Sequence, residues 1–382
     1  MATSKIIPSA LEILLLKAIT DSGGWIGFDQ FMEAALYSPG LGYYARDNAQ
    51  FGTMPSGADG QGSDFVTAPE MTPFFGRTLA AQIAQALQVT GTREVWEFGA
   101  GSGALAGQLL KALGDKLDRY TIVDLSGALR HRQAEVLAAY GSKVRWVSEL
   151  PERLRGVIVG NEVLDAMPVK LLVRKNAVWY ERGVQVGPGD VLCWSDRVSA
   201  LRPPVDIEGA HDYLTEIHPA AEGFVRTLAD RLEQGAAFFI DYGFPEREYY
   251  HLQRDMGTVM CHQAHRMDTD PLVDVGLKDI TAHVNFTGLA LAAQEAADAP
   301  PPAGGGATPD DFGVLGYTTQ ARFLLNCGLL PMLESATLQE RAMSQKLIME
   351  HEMGELFKVI GFFKGAPWEA IGFSEGDRTH TL

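Results

Sequence analysis

In the stretch Glu97-Phe98-Gly99-Ala100-Gly101-Ser102-Gly103-Ala104, glycine recurs at alternate positions, directly after a short β-rich run and directly before a helical one. Glycine lets backbone approach a ligand closely, and the start of a helix offers N–H groups that have no intrahelical partner. Gly99, Gly101 and Ala104 satisfy the pattern G-x-G-x-x-G/A, and Asp124 follows at the end of the next β-rich run, where a carboxylate can accept ribose hydroxyls. The chemistry on offer is capture of a ligand with a nucleoside end. The glycines alone do not choose between a nicotinamide dinucleotide and S-adenosylmethionine.

Glu97 favours the second. A carboxylate just before the first glycine repels a pyrophosphate and suits the ammonium and sulfonium charges of a methionine group. No tyrosine is followed by lysine four residues later, which removes the short-chain hydride-transfer enzymes built on that helical pair. A polar cluster, Gly160-Asn161-Glu162-Val163-Leu164-Asp165-Ala166-Met167-Pro168, ends the fourth β-rich run, at the position where methyl-transfer enzymes place substrate-facing groups.

Asp241 closes a later run, residues 236–240, and the carboxyl ends of parallel strands line the crevice where ligands bind. Its other reading is a hydrogen-bonded turn residue before Gly243. His283 lies in an apolar–polar alternation and reads either as a base or as a structural strand histidine. Cys261, His262 and His265 superficially match metal-ligand spacing, with Asp268 and Asp270 close by, but a fourth ligand is missing and no metal site is expected.

The elements that must position these groups follow from periodicity. Residues 95–98, 120–125, 144–147 and 156–160 are β-rich, with helical spacing at Leu105, Leu109 and Leu113 and again over residues 129–140. Strands about 25 residues apart with helices between them require right-handed crossovers and a parallel sheet. The next strand, residues 236–240, comes too late for one crossover. Within the gap, residues 169–173 and 178–181 flank Arg174-Lys175-Asn176-Ala177 as an inserted hairpin, and a helix over 220–232 leads back.

At the front, Ser9 and Glu12 form a capping box. Phe74, Phe75, Leu79, Ile83 and Leu87 recur at helical spacing, after a Gly-rich loop at 52–63. Residues 357–363 read as a late strand that pairs antiparallel at the sheet edge, and residues 374–382 as a frayed tail. The expected division is a helical N-terminal cap and lid over 1–90, a core over 91–168 and 217–382, an inserted hairpin region over 169–216, and a flexible Pro/Gly loop over 298–310.

Composition bounds the rest. The chain has 382 residues, 46% of them hydrophobic, enough for one large α/β domain with additions or for two smaller ones. Cys193, Cys261 and Cys327 are far apart, which fits a reducing compartment, and the cytoplasm is the expectation. No apolar run approaches the roughly 20 residues needed to cross a bilayer. The first arginine is Arg46, after Glu12, Asp21, Asp29 and Glu33, so the start reads as mature prokaryotic protein and not as a transit peptide. A net charge of −16 repels phosphate backbones, which excludes nucleic acid as the expected partner and favours a basic one; the alternative is that the acidity serves solubility alone.

Several blocks carry a family resemblance. Residues 63–70 (Ser-Asp-Phe-Val-Thr-Ala-Pro-Glu), Glu97 to Gly103, Asn161 to Pro168, Asp241-Tyr242-Gly243, residues 279–286 (Asp-Ile-Thr-Ala-His-Val-Asn-Phe) and residues 353–359 (Met-Gly-Glu-Leu-Phe-Lys-Val) occur in the order found in the MidA-like S-adenosylmethionine-dependent methyltransferases. The chain resembles that family over nearly its whole length. Mitochondrial members are respiratory complex I assembly factors that dimethylate an arginine.

The resemblance implies a Rossmann-like class I methyltransferase sheet with S-adenosylmethionine as cofactor, held by Glu97, Gly99, Gly101, Gly103, Asp124 and Asn161. Thr67, Pro69 and Glu70 match the family's N-terminal block and are expected to fold over the cofactor mouth. Aspartate at 124, where many relatives carry glutamate, shortens the reach to the ribose. The more specific implication is a protein arginine substrate, of which a complex I subunit is one example. A guanidinium arrives charged, so paired carboxylates must hold it, and Glu162 and Asp165 fill that role if a helical turn begins there, with Asp241 and His283 as further catalytic candidates. In the other reading Asp165 only caps the turn. A homodimer is compatible with the sequence, which does not set the oligomeric state. The alternatives are a SAM-binding assembly factor with little turnover and an NAD(P)-dependent oxidoreductase.

Overall fold

The computed structural model of the chain describes residues 8–46, 66–124, 127–263, 266–298 and 312–382. The Gly-rich stretch at 52–63, residues 63–65, Leu125, His265 and nearly all of the Pro/Gly loop at 298–310 lie outside the described residues. Among the described residues no helix is long and apolar enough to cross a membrane.

The chain forms two compact units, one of residues 1–49, 166–220 and 247–282, the other of residues 50–165, 221–246 and 283–382. This differs from the expected division, which kept the N-terminal cap apart from the inserted hairpin region; residues 1–49 and 166–220 fall in one unit. The helix Phe74–Thr90 belongs to the second unit and not to an N-terminal cap, and residues 247–282 belong with the first unit and not with the core.

The first unit joins helices Ala10–Asp21 and Phe28–Tyr37 to antiparallel sheets. The Ser9–Glu12 capping box forms, with Ser9 Oγ accepting from Glu12 N at 3.1 Å and Glu12 Oε2 accepting from Ser9 N at 2.6 Å. The larger sheet runs Ile26–Gly27, Val178–Val186, Lys170–Lys175, Tyr213–Ile217, with Leu192–Val198 also on Val178–Val186. The expected hairpin is present, but its turn is tighter than the sequence suggested. Only Asn176 and Ala177, at φ 50° and 62°, make the turn, the two left-handed residues that match strand twist. Arg174 stays in the strand, buried, donating to Ile207 O at 2.5 Å and His211 O at 3.3 Å.

The second unit is built on a sheet of β1 (Glu94–Phe98), β2 (Arg119–Val123), β3 (Val144–Val147), β4 (Leu154–Asn161), β5 (Leu232–Phe244), β6 (Phe312–Thr319) and β7 (Phe357–Lys364), with the short Val284–Asn285 beside β5. The order is β6-β7-β5-β4-β1-β2-β3, parallel from β5 to β3 and antiparallel at β7. Its helices include α1 (Ala68–Met71), α2 (Phe74–Thr90), α3 (Ala104–Leu113), α4 (Gly127–Val136), α5 (Pro219–Arg231) and α6 (Phe286–Asp298). The expected parallel sheet is therefore present, and its apolar strands, buried on both faces, account for the continuous Val/Ile/Phe runs.

One face of this sheet carries a core of Phe75, Leu79, Ile83, Val95, Leu105, Leu109, Tyr120, Ile122, Val157, Val159, Phe238 and Val359. Full burial of each such side chain stabilises by about 1.5–3 kcal/mol. Helices α2 and α3 approach closely because residue 76 is glycine: a Cβ there would sit 2.5 Å from Gln108 Oε1.

Two expectations at the C-terminal end are corrected. β7 is not an edge strand but lies between β5 and β6, and its residues 357–363, mostly apolar, are buried throughout, Lys358 included. The residues after Ser374 are not frayed. Tyr317 N donates to Asp377 Oδ1 at 3.1 Å, Thr318 Oγ1 to Gly376 O at 2.7 Å and Arg378 N to Tyr317 O at 2.6 Å, which seals the exposed side of β6.

Candidate functional site

The carboxyl ends of β1, β2, β4 and β5 bring most of the expected site residues into the second unit. Between β1 and α3 the chain turns through Gly99, Gly101 and Gly103 at φ 62°, 52° and 86°, a left-handed sequence that a side chain would strain. A Cβ on Gly101 would meet nothing within 4 Å, so the loop borders open space there, whereas a Cβ on Gly99 would lie 2.9 Å from Val163 Cγ2. Ser102 Oγ accepts from Ala104 N at 3.2 Å and itself donates to Glu70 Oε1, so the loop is tied to α1.

Thr67 and Pro69 flank that tie. Thr67 O accepts from Glu70 N at 3.0 Å, and Pro69 O accepts from Gln108 Nε2 at 2.7 Å, which fastens α1 to α3. Burial lifts the Glu70 carboxyl above its ordinary range, and the Ser102 bond and the Arg132 charge pull it back. The segment thus adjoins the glycine loop.

Glu97 sits beneath the loop, 2% exposed, and its Oε2 accepts from the Tyr120 hydroxyl at 2.7 Å. Burial pushes its carboxyl up to about 8, against the Tyr120 bond and with the Asp124 charge. Burial thus favours the protonated form of this carboxyl, against the anion that the sequence reading used.

Asp124, just past β2, is held on two sides. Its Oδ2 accepts from Gln133 Nε2 at 2.9 Å and its carbonyl oxygen accepts from Arg130 Nε at 2.9 Å. Gln133, on α4 and fully buried, also donates to Gly101 O at 3.0 Å and accepts from Trp146 Nε1 at 2.8 Å. Sequence reasoning missed Gln133, since nothing about its spacing marks it.

The acidic cluster forms where β4 ends beside β5; Asp241 does not close its strand, as the sequence suggested, but lies within β5, which runs on to Phe244 because Asp241 and Tyr242 still pair with β7. Asp241 is fully buried, and its Oδ2 accepts from the N–H groups of Val163, Leu164 and Asp165 at 3.1, 2.8 and 3.2 Å, while Oδ1 accepts from Tyr242 N at 2.9 Å. It is a clamp on the chain of the 162–165 turn. Burial pushes the Asp241 carboxyl well above the usual carboxylate range, Asp165 and Glu162 adding their repulsion while the backbone donors oppose it.

The 162–165 segment is a turn and not the start of a helix. Glu162 takes φ 53°, its N–H donating to Ile240 O at 2.9 Å, and Asp165 is 5% exposed. Asn161, the last residue of β4, donates from Nδ2 to Glu162 Oε1 at 2.9 Å, and its buried Oδ1 has no donor among the described residues.

His283 is not in a strand. It lies in the link between Asp279–Thr281 and Val284–Asn285, edge-on to Tyr242 at 5.2 Å and Phe244 at 5.3 Å. Cys261 and His262 lie in the first unit on Met260–Gln263, and Lys278 pairs with Asp268. No group of three or more potential metal ligands gathers among the described residues.

Over residues 78–302 the chain matches the family described as "Putative S-adenosyl-L-methionine-dependent methyltransferase". The chain belongs to this family of S-adenosyl-L-methionine-dependent methyltransferases. A crystal structure of a Burkholderia thailandensis protein bound to S-adenosyl-homocysteine is 47% identical to this methyltransferase, covering 99% of this chain and 100% of that one at a TM-score of 0.88. A native Burkholderia thailandensis structure is 46% identical over the same shares at a TM-score of 0.83. The mitochondrial protein arginine methyltransferase NDUFAF7 homolog of Caenorhabditis elegans is 25% identical over 92% of this chain and 86% of its own length. Its human counterpart is 27% identical over 72% of this chain and 66% of its own.

The residues present suit the methyltransferase's cofactor. The left-handed glycine loop borders open space, Asp124 offers a carboxylate for vicinal hydroxyls, and Asn161 Oδ1 is an acceptor awaiting a donor such as an ammonium group. S-adenosyl-L-methionine supplies an electrophilic methyl carbon when bound.

Proposed function

We propose that the enzyme methylates an arginine side chain of a basic protein in the cytoplasm, a respiratory complex I subunit being one candidate. The observation that carries this reading is the gathering of Glu162 and Asp165 around the Asp241 clamp at the carboxyl ends of β4 and β5. The names of the mitochondrial relatives, at about a quarter identity, support the same acceptor.

A guanidinium remains charged at physiological pH, so carboxylates must take it out of water and turn one nitrogen toward the methyl carbon. Glu162 and Asp165 perform that task, and Asp241 fixes the turn that carries them. Positioning of this kind supplies much of the rate enhancement in a displacement at carbon. As the new C–N bond forms and the C–S bond breaks, the nitrogen releases a proton, which Glu162, Asp165 or, in a second arrangement, His283 receives.

The test uses a labelled methyl donor, lysate of the source organism, and wild type beside Glu162→Gln and Asp165→Asn. Mass spectrometry should find label on arginine in the wild-type reaction alone, while all three proteins bind S-adenosyl-homocysteine equally by calorimetry. Label confined to small molecules, or transfer undiminished in both variants, defeats the proposal.

A further inference from the structure

The amide of Gln133 is the point at which three separated elements meet. Trp146 on β3 can only donate through its indole N–H, so the Gln133 oxygen must face it, at 2.8 Å. That fixes the amide orientation and aims both N–H groups the other way, one at Gly101 O (3.0 Å) and one at Asp124 Oδ2 (2.9 Å). The side chain is fully buried, and a Cβ on Gly103 would touch its Cα and Cγ at 3.6 Å, so α4 packs directly on the glycine loop.

We infer that Gln133 is a positioning residue for the nucleoside half of the cofactor: one amide holds the Asp124 carboxylate at a fixed place relative to the glycine loop. Aspartate is the shorter of the two acids that can grip a ribose, so its oxygens must be placed and not left to search rotamers. Gln133 removes that freedom before the cofactor arrives, and the stiffness of the Trp146 anchor is passed to both partners. The inference rests on Asp124 accepting the ribose hydroxyls.

The experiment is isothermal calorimetry with two probes, S-adenosyl-homocysteine and its analogue lacking both ribose hydroxyls. Wild type should bind the natural compound at least tenfold more tightly. Gln133→Glu keeps the Trp146 bond, loses both donors and sets a second carboxyl against Asp124; it should weaken S-adenosyl-homocysteine by tenfold or more and leave the analogue within about twofold, which compresses the preference. Gln133→Met keeps the length without donors and answers the same comparison if the glutamate variant does not fold. In methyl transfer, KM for the cofactor should rise with kcat nearly unchanged.

Equal losses for both probes would show that Gln133 is a packing residue only and overturn the inference, as would variants that retain the full preference. A wild type that does not distinguish the probes removes Asp124 from the ribose and overturns the inference at its premise, an outcome separable from the others because it appears before any substitution is made.

Discussion

Glu97 gives the sharpest test of how the glycine loop is supported. Its carboxyl is 2% exposed, bonded to Tyr120, and raised from 4.5 to about 8, burial being the largest cause. In the unfolded chain the same group ionises near its ordinary value. The folded state therefore holds a proton that the unfolded state has lost at every pH between the two values, and stability must fall as pH rises through that window. Below about 4.5 the contribution is fully present, and above about 8 the loss is complete. At about 1.36 kcal/mol for each pH unit, the whole change is about 5 kcal/mol. Glu97→Gln keeps the shape and an acceptor for Tyr120 but cannot ionise. Urea unfolding of both proteins at intervals from about pH 5 to about pH 8.5 isolates the term, because every other titrating group is common to the pair. The variant should gain on wild type steadily with pH, by several kcal/mol at the alkaline end. Parallel curves would refute the reasoning and show that Glu97 is ionised in the fold, with a counter-charge or water that lowers its cost.

Other outcomes follow from the same geometry. Gly101→Ala places a Cβ at φ 52° where no protein atom lies within 4 Å, so it should cost only about 1–2 kcal/mol of stability yet weaken S-adenosyl-homocysteine by roughly tenfold or more in calorimetry. Asp241→Ala leaves the N–H groups of residues 163–165 without their acceptor inside the protein and should cost about 3–5 kcal/mol in urea, whereas Asp241→Asn, which keeps one oxygen, should cost about half as much. Removal of residues 376–382 takes the cover from β6 and should lower stability by about 1–3 kcal/mol, little of it from the half-exposed Arg378–Glu355 pair; a thermal melt unchanged by the truncation would return the segment to the status of a loose tail.

The parallel core was legible because its signal is local and repeated. Each of β1 to β4 is a short β-rich run, the helices between them show their own period, and the glycine loop falls where the first strand must turn. What the sequence hid depends on neighbours in space. Residues 357–363 announce a strand but not that β6 will lie outside it, and Arg174 looks like a turn residue until its guanidinium meets the carbonyls of a distant loop. The side chain of Gln133 has partners on the glycine loop, just past β2 and on β3, none within a helical turn of it, so no periodic pattern could single it out.

Asp241 is the intermediate case. As a lone acid at a strand end it reads equally well as a ligand for substrate or as a turn residue, and only the register decides between them. β4 and β5 are parallel neighbours with Ile240 opposite Asn161, so the next residue of β5 necessarily meets the chain as it leaves β4. There its carboxylate finds three N–H groups in succession, and bonding them fixes a turn in which Glu162 takes a left-handed conformation that its own side chain disfavours. The cost of that conformation is borne by the clamp. Glu162 and Asp165 owe their place to the adjacency of two strands whose sequences are some seventy residues apart, and a substitution that shifts the β4–β5 register should disarrange the acceptor carboxylates while leaving the glycine loop on β1 in place.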